Sequence, residues 1–517
     1  MSQNTISPLE AQESFDVKKE KVDMLHGKAV GLMGVLFLTV TGAAPESAML
    51  GNVPFGASAG DGLYIPGAFL LATIVLTIFS VGYAAMASKV SSVGGFYSYI
   101  SLGLGRDMGM ASGMASFVSY SVFEASLYGL FAYFSNAYIK NHFGIDVSWI
   151  WLALFCVGMA ALLSHFDVQL SAMILGAALI FEVIVLLIFD AGAAMSPTSK
   201  FDISALNPLN AFIGVAEQKT TFNGEEITIA AGAAAVGIFL AFWSWVGFEM
   251  APNYAEESRD PKHIIPRSLY ISVIGLGIFY TITSWCAVSS YPSEVEMLAK
   301  ATKDSSNFFL TPIEQNVGKW AYEAMSVLIL TSSFACGMAF HNTAARYAYS
   351  LGREGVFLSY LGKTHPTYRS PYLASLSQSA LAALWLGLFA YFLGTDDPNA
   401  QAYVAVYTML AILGTMLLLI LQAFVSIAII VYFQKNHPGE AGIFAGLIAP
   451  LISFVAQVYL VYLLVKNLET FGGGGPFGSN IPYIALGIIV WGFLWGMILR
   501  VAAPQTHAKI GRLVFND

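Results

Sequence analysis

The sequence predicts an all-α membrane protein with twelve transmembrane helices, and two observations carry that reading. Of 517 residues, 56% are hydrophobic and only 11% are charged, against roughly 25% charge in an average soluble domain. So few charges cannot clothe a soluble surface of this size. Apolar blocks also recur twelve times, each long enough at 1.5 Å per residue to cross a hydrocarbon core of about 30 Å. A membrane β-barrel would instead need alternation over about 10 residues, and none is seen. The net charge of −8 supplies no basic face for phosphates, which excludes nucleic acid as a partner and leaves the lipid bilayer.

The elements follow in order. Residues 1–28 are polar and charged without an apolar stretch, so they read as a cytoplasmic arm and not as a cleavable signal. Apolar blocks then lie near 30–50, 64–88, 108–138, 149–164 and 169–192, a first group of five within 29–192. A second five lie near 229–252, 267–291, 319–350, 373–394 and 402–432, within 229–432. The last two, near 442–466 and 481–501, fill 442–501 and leave a cytoplasmic tail at 502–517. The fourth block is short and must borrow residues from its neighbours. Segments 193–228 and 292–318 read as outer loops, and the glycine run 472–475 as a flexible connector.

Basic residues set the direction. With the N-terminus inside, Lys140, Lys200, Lys219, Lys300, Lys303, Lys319 and Lys466 fall outside and the other 17 of 24 fall inside. Excess Lys and Arg mark cytoplasmic loops, so both termini are expected in the cytoplasm. The absence of Asn-x-Ser/Thr acceptors fits a bacterial inner membrane. Cys156, Cys286 and Cys336 lie in apolar segments and are odd in number, so no disulfide framework is expected. No cofactor or metal pattern is found, nor a catalytic constellation. Gly56-Ala-Ser58-Ala-Gly60 imitates a nucleophile elbow, but lacks the strand–turn–helix context that motif needs.

Two blocks are interrupted. The first reads Phe37-Leu-Thr-Val-Thr41-Gly42-Ala43-Ala-Pro45, and the sixth Phe242-Trp243-Ser244-Trp245-Val246-Gly247-Phe248-Glu249. A break at membrane depth frees backbone polar groups, which only protein or a wet cavity can satisfy. Interruptions at matching places in two five-helix halves point to a transporter site at the midplane. Residues 41–43 are expected to offer backbone N–H groups to a carboxylate at a half-helix start. Carbonyls around Ser244–Gly247 would suit an ammonium, so a zwitterion fits between them.

Acids inside spans are costly, about 2.5–3.5 kcal/mol each on insertion scales, and are seldom idle. Glu124, Glu182 and Glu249 stand out, whereas Glu46, Asp190 and Glu323 lie nearer span ends. Glu124 follows Tyr120 by one helical turn on the same face. It reads either as a receptor for a cationic amine or as a hydrogen-bonded core acid. Tyr403, Tyr407 and Thr408 could line a cavity; His341 and Arg346 read as interfacial or structural.

Three motifs carry a family resemblance. The sixth block runs into Glu256-Glu257-Ser-Arg-Asp260-Pro261 and Ile265-Pro266-Arg267-Ser268. Ser92-Val-Gly94-Gly95-Phe-Tyr97-Ser-Tyr99 enters the third block. Asn342-Thr-Ala-Ala-Arg346 precedes Gly352-Arg353-Glu354-Gly355 and Thr364-His365-Pro366. Over residues 28–435 the chain resembles the amino acid–polyamine–organocation transporters. The resemblance implies the leucine-transporter fold: two inverted five-helix repeats plus two C-terminal helices, with alternating access to a central site. It implies transport of an amino acid or amine, with protons or sodium as coupling ion. Relatives carry Gly-x-Gly in the first break, whereas Thr41-Gly42-Ala43 keeps one glycine.

By that resemblance Trp243 closes over substrate, and Glu249 takes part in gating or proton sensing. Glu182 stands near a lysine that replaces a sodium ion in many relatives, and Ser332 and Ser333 stand where sodium-coupled relatives offer hydroxyls. The expected substrate site is Thr41, Gly42, Ala43, Tyr120, Glu124, Trp243, Ser244, Trp245 and Gly247. Glu182, Glu249, Ser332 and Ser333 are expected to serve ion coupling or gating. The reading is a proton-coupled amino acid importer, with an amine or polyamine (putrescine-like) permease or exchanger and a membrane sensor without net transport as alternatives.

Overall fold

The computed structural model describes residues 30–92, 94–165, 168–392, 401–471 and 476–511. The expected arm at 1–28, the glycine run 472–475 and the tail end 512–517 lie outside them. The helices begin with α1 (Leu32–Ala43), α2 (Pro45–Gly56), α3 (Ile65–Ala87), α4 (Phe96–Leu104), α5 (Arg106–Phe143), α6 (Trp149–Leu163) and α7 (Val168–Met195). After α8 (Ala234–Trp243) come α9 (Pro261–Ser289), α10 (Glu294–Lys303), α11 (Leu310–Asn316), α12 (Lys319–Arg353) and α13 (Tyr372–Phe392). The last are α14 (Leu410–Val431), α15 (Ala449–Lys466), α16 (Pro476–Ala502) and the short α17 (Pro504–His507).

Nine helical segments among the described residues are long and apolar enough to cross a membrane. One of them, Leu32–Ala87, contains two of the expected blocks, and the 15-residue α6 is the short fourth block. Large apolar side chains such as Trp151, Phe181, Leu376, Val455 and Trp491 face outward. Exposed apolar surface on that scale belongs against lipid. Polar side chains go the other way: Glu46, Glu124, Glu182, Glu249 and His341 are all buried.

At the centre, the 38-residue α5 packs along α12 and against α14 and α16. Its Ser- and Gly-rich sequence explains the close fit, since small residues let helices approach without a bulky ridge between them. A Cβ on Gly113 would meet the Tyr97 ring at 2.8 Å, and one on Gly129 would meet Val406 at 2.7 Å.

The loop at 193–228, expected on the outer side, departs from the all-α expectation. It holds an antiparallel hairpin, β1 (Gln218–Phe222) with β2 (Glu225–Ile229). Asn223 and Gly224 at its tip have φ of 50° and 86°, the left-handed pair that a two-residue hairpin turn requires.

Candidate functional site

The first break sits one residue later than the sequence suggested. Thr41, Gly42 and Ala43 are still helical, and the chain turns at Ala44, where φ is 41° and ψ 77°. Pro45 explains the position. It has no N–H to continue the ladder, and its ring disfavours helical geometry in the residue before it. Residues 41–43 are therefore the carbonyl end of α1, and the free N–H groups belong to the start of α2. The expected nest at 41–43 is corrected accordingly. Freed carbonyls are taken at once: Tyr280 donates to Ala43 O at 2.8 Å, and the Cys336 thiol to Gly42 O at 3.0 Å.

The second break matches expectation more closely. α8 stops at Trp243, and a tight turn over Ser244–Gly247 leads into a 3₁₀ segment, Phe248–Tyr254. Gly247 has φ +129°, a backbone state that only glycine adopts without strain. A Cβ there would lie 2.5 Å from the Gly42 carbonyl carbon and 2.6 Å from Ala43 N. The two breaks touch backbone to backbone.

Between them lies a cavity with about 240 Å³ of unfilled space. Gly42, Ala43, Ala44, Ser47 and Ala48 line it from the first break, and Trp243, Ser244 and Val246 from the second. Asn52, Leu127, Cys336, Phe340 and Tyr407 complete the wall. No Asp, Glu, Lys, Arg or His is among them. A hydrogen-bond chain closes one side. Trp243 Nε1 donates to Tyr407 Oη (3.1 Å), and Tyr407 to Asn52 Oδ1 (2.7 Å). Asn52 Nδ2 then donates to Ser244 Oγ (2.8 Å), and Ser244 to Leu240 O (2.8 Å). Each member donates to the next, so all four side chains are hydrogen-bonded within the wall.

Of the expected substrate residues, the cavity therefore gathers Gly42, Ala43, Trp243 and Ser244. Thr41 is buried behind it. Gly247 serves the contact between breaks. Trp245 faces away, packed on Phe69 and Tyr280 with ring centroids 5.8 and 5.1 Å away. Tyr120 and Glu124 share a helix but not a function. Tyr120 donates to Glu249 Oε1 at 2.8 Å. Glu124 is held by His341 Nδ1 at 3.0 Å and Gln378 Nε2 at 2.8 Å. Of the two readings open for Glu124, the geometry matches the hydrogen-bonded core acid. Of the three residues considered on the tenth block, Tyr407 reaches the cavity, while Tyr403 donates to Gly51 O (2.8 Å) and Thr408 to Tyr403 O (3.0 Å).

The remaining acids form two groups. Glu249 also accepts from Gly247 N at 3.0 Å, which ties its carboxylate to the second break. Glu182 accepts from Ser332 Oγ at 2.8 Å. Ser332 in turn accepts from Ser47 N (3.2 Å) and Ser47 Oγ (3.0 Å), and Ser333 lies 3.2 Å from Ser47 Oγ. Glu46, set aside in the sequence as near a span end, is 0% exposed beside this group. Its placement corrects that expectation, because α2 begins in the middle of the protein.

The motifs that carried the resemblance pack together at the predicted inner end. Arg346 grips Glu257 through Nε and Nη2, both at 2.9 Å, and lies over the Tyr254 ring. Arg353 reaches Glu256 at 3.1 Å. A Cβ on Gly95 would fall 2.4 Å from Asn253 Oδ1, so the glycine pair lets α4 abut the segment after the second break. Tyr97 donates to Glu354.

Asn52, Ser47 and Cys336 were missed in the sequence. Asn52 carried a usable signal: it is an amide inside an apolar span, one turn beyond Ala48.

Comparison with known proteins shows the family. The family model described as amino acid permease matches residues 30–494. The low-affinity putrescine importer PlaP of Escherichia coli K12 is 23% identical over 345 residues, covering 66% of this chain and 71% of its own. The branched-chain amino acid permease BcaP of Bacillus subtilis strain 168 is 22% identical over 496 residues, covering 93% and 90%. An uncharacterized amino acid permease of the same organism, YecA, is 28% identical over 345 residues, covering 64% and 72%. With a family match running from residue 30 to residue 494, the chain belongs to the amino acid permeases of the amino acid–polyamine–organocation superfamily.

Proposed function

We propose that this permease is a secondary active importer of a small apolar amino acid, coupled to protons. One observation carries the substrate assignment. The cavity between the two breaks is walled by Ala43, Ala44, Ala48, Leu127, Val246, Cys336 and Phe340 and contains no charged side chain. A diamine such as putrescine would bring two ammonium groups into a wall with no carboxylate to receive them, at a prohibitive desolvation cost. A zwitterion meets both its partners. The start of α2 presents partial positive charge to a carboxylate, and the carbonyl end of α1 with the Ser244–Gly247 turn presents partial negative charge to an ammonium. The apolar wall then receives an aliphatic side chain. BcaP, whose name gives branched-chain amino acids, is similar over 93% of this chain and 90% of its own length.

In this reading twelve spans form two inverted repeats, 29–192 and 229–432, with both termini in the cytoplasm of a bacterial cell. Gly42, Ala43, Trp243, Ser244, Asn52 and Tyr407 hold the substrate. Trp243 and Tyr407 form its aromatic lid, and the hydrogen-bond chain through Asn52 is the seal of an occluded state. Glu249 links the lid to Tyr120, and Glu182 serves the proton.

Uptake into proteoliposomes tests the assignment. Leucine, valine and alanine are expected to exchange and to compete with one another, and putrescine to do neither. Putrescine uptake at a rate matching leucine would overturn it. Glu124→Gln is expected to leave the preference for amino acids unchanged.

A further inference from the structure

Beyond the cavity, the two broken segments meet on glycine. Along α2 and the wide turn Ala57–Asp61 that follows it, Asn52, Gly56 and Gly60 succeed one another at four-residue spacing. Asn52 bonds Ser244 beside the cavity, and a Cβ on Gly56 would lie 3.6 Å from Gly237 Cα on α8. One on Gly60 would lie 2.5 Å from Gly237 N and 2.9 Å from its Cα, so the two backbones touch. The chain on either side of the hairpin ties this seam down. Val215 N–H donates to Gly60 O (3.0 Å), Gly232 N–H to Val215 O (2.9 Å) and Ala233 N–H to Ala59 O (2.9 Å). In the orientation proposed above, a solute arriving from outside would have to part α2 from α8 here.

Asp61 is shut into the seam. It is 1% exposed, and its carboxyl occupies the space beside Gly237 that a Cβ there would claim. Neither carboxyl oxygen has a hydrogen-bond partner. The N–H groups of Val215, Gly232 and Ala233 are spent as above, and that of Val236 on Ala233 O (2.8 Å). Among the described residues Asp61 forms no ion pair, and the elements packed on its turn bring no cation to it. α8 and the turn Asn210–Phe212 carry no titratable side chain. α2 carries only Glu46, at its far end, and α3 only Tyr83, near its far end. The turn Gly62–Tyr64 adds the Tyr64 phenol, which is neutral near pH 7. α10 buries Met297 and Leu298 and leaves Glu296 and Lys303 exposed, while its Lys300 is bound to Asp304 at 2.6 Å. Its Glu294 Oε1, 3.5 Å from where a Cβ on Gly62 would stand, is a like charge. Glu217 and Lys219 beside the hairpin are exposed. An ionised carboxylate enclosed without donor or counter-ion would carry its full desolvation cost, so the closed seam holds Asp61 with its proton.

We propose that Asp61 is a proton site of the outer gate: its carboxyl takes a proton from the outer water as α2 and α8 close, and returns it there as they part. The site is separate from Glu182. A proton on Asp61 stays on the outer side and adds nothing to the number moved with each substrate. The inference rests on the transport reading above only for the direction of the motion. The change of charge follows from solvation. When the seam parts, water reaches the carboxyl, and an exposed aspartate ionises above about pH 3.9. When it closes, only the neutral form fits. The closed form thus binds one more proton than the open one, so closure is favoured by acid and weakens by up to about tenfold with each pH unit above that value.

Hydrogen exchange in the full-length protein reads the gate without reference to transport. The amides of Val215, Gly232 and Ala233 donate across the seam, so their protection, taken relative to the intrinsic exchange rate at each pH, measures closure. Wild-type protection is expected to be at least about tenfold lower at about pH 7.5 than at about pH 5.5. Asp61→Asn is neutral at both, so its two values are expected to agree within about twofold. Should Asp61→Asn not assemble, Asp61→Ala, which has no carboxyl, supplies the flat reference. Wild-type protection that does not fall as pH rises, or a variant whose protection falls as steeply as wild type, overturns the proton site. Leucine exchange in proteoliposomes is followed in parallel: protection that falls as expected in a protein that exchanges no leucine would overturn the substrate reading and uphold the site.

Discussion

Replacing Gly247 by alanine is the most direct challenge to the contact between the two breaks. Gly247 holds φ +129°, and forcing a residue with a Cβ into such a region costs about 1–3 kcal/mol. The new Cβ would also sit 2.5 Å from the Gly42 carbonyl carbon, whereas ordinary van der Waals contact begins near 3.4 Å. Because the obstacle is backbone, α1 itself must retreat by about 0.9 Å, an overpacking that costs a further 1–3 kcal/mol or so. The total, about 2–6 kcal/mol, is large against the roughly 5–15 kcal/mol that holds a typical domain together.

Gly42→Ala is the matched control. Its Cβ would meet the Met250 methyl at 2.2 Å, but that is the free end of a flexible side chain, and the nearest backbone atom, Gly247 Cα, is 3.2 Å away. Met250 can swing aside, so the cost should be the smaller of the two. The assay is the melting temperature of purified protein with and without leucine, together with uptake. Gly247→Ala is expected to melt several degrees lower, to lose the shift that leucine confers, and to lose uptake at least tenfold. Wild-type melting and uptake in Gly247→Ala, or a lower melting temperature in Gly42→Ala than in Gly247→Ala, would refute the claim that backbone contact joins the breaks.

Other perturbations follow from the same geometry. Arg346→Ala strands the buried Glu257 carboxylate and should cost about 3–5 kcal/mol; adding Glu257→Gln should recover part of the lost melting temperature, and no recovery would argue against the pair. Tyr407→Phe removes the acceptor of Trp243 and the donor to Asn52, so leucine affinity should fall about five- to tenfold, equivalent to roughly 1–1.4 kcal/mol; unchanged affinity by calorimetry would detach the seal from binding. The tail offers a pH-dependent contact. Burial, then the guanidiniums of Arg106 and Arg500, hold the His507 imidazole below its ordinary value. The docked tail therefore binds fewer protons than a free one, so docking is complete above about pH 6.5 and weakens as pH falls into the window below it. Protection of amides over 503–511, taken relative to the intrinsic exchange rate at each pH, should be lower at about pH 5.5 than at about pH 7.5, and the opposite order would contradict the assigned direction.

Much of the architecture was legible because it rests on local rules. Apolar runs located the helices, glycine with proline located the first interruption, and Gly247 located the second. The first break was misplaced by one residue because Thr41-Gly42-Ala43 draws the eye to the glycine, while the deciding constraint is the missing N–H of Pro45. The hairpin tip was equally readable in Asn223-Gly224 between Thr220-Thr221-Phe222 and Ile227, but its loop was read only as a connector. What could not be read were partners set by long-range packing. Nothing near Glu124 announces His341, 217 residues away, and helical spacing put Tyr120 beside Glu124 when Tyr120 in fact serves Glu249. Spacing within one helix orders side chains along a face; it does not choose the neighbouring helix that receives them.

The same limit explains why Glu46 escaped notice and why it matters. Counted from the start of its apolar block, Glu46 is near an end. Counted from the helix to which it belongs, it stands in the first turn of α2, at the protein's centre. Breaking the span turns an interior position into a helix terminus, and a terminus brings polarity of its own: carbonyls at Gly42 and Ala43, N–H groups at Glu46 and Ser47. Tyr280 and Cys336 take up the first set, and Ser332 with Glu182 the second. One short stretch of backbone thus faces the cavity between the breaks on one side and the acids Glu46 and Glu182 on the other. Any charge that changes on the acids acts on the N-terminus of α2, and any substrate carboxylate placed at that terminus acts back on the acids. Binding free energies linked in this way are reciprocal: if a proton favours substrate, substrate must favour the proton by the same factor. Leucine should therefore raise the pH at which Glu182 takes up its proton, and titration of proton uptake at saturating and zero leucine measures that shift. A proton uptake curve indifferent to leucine would break the link at its root.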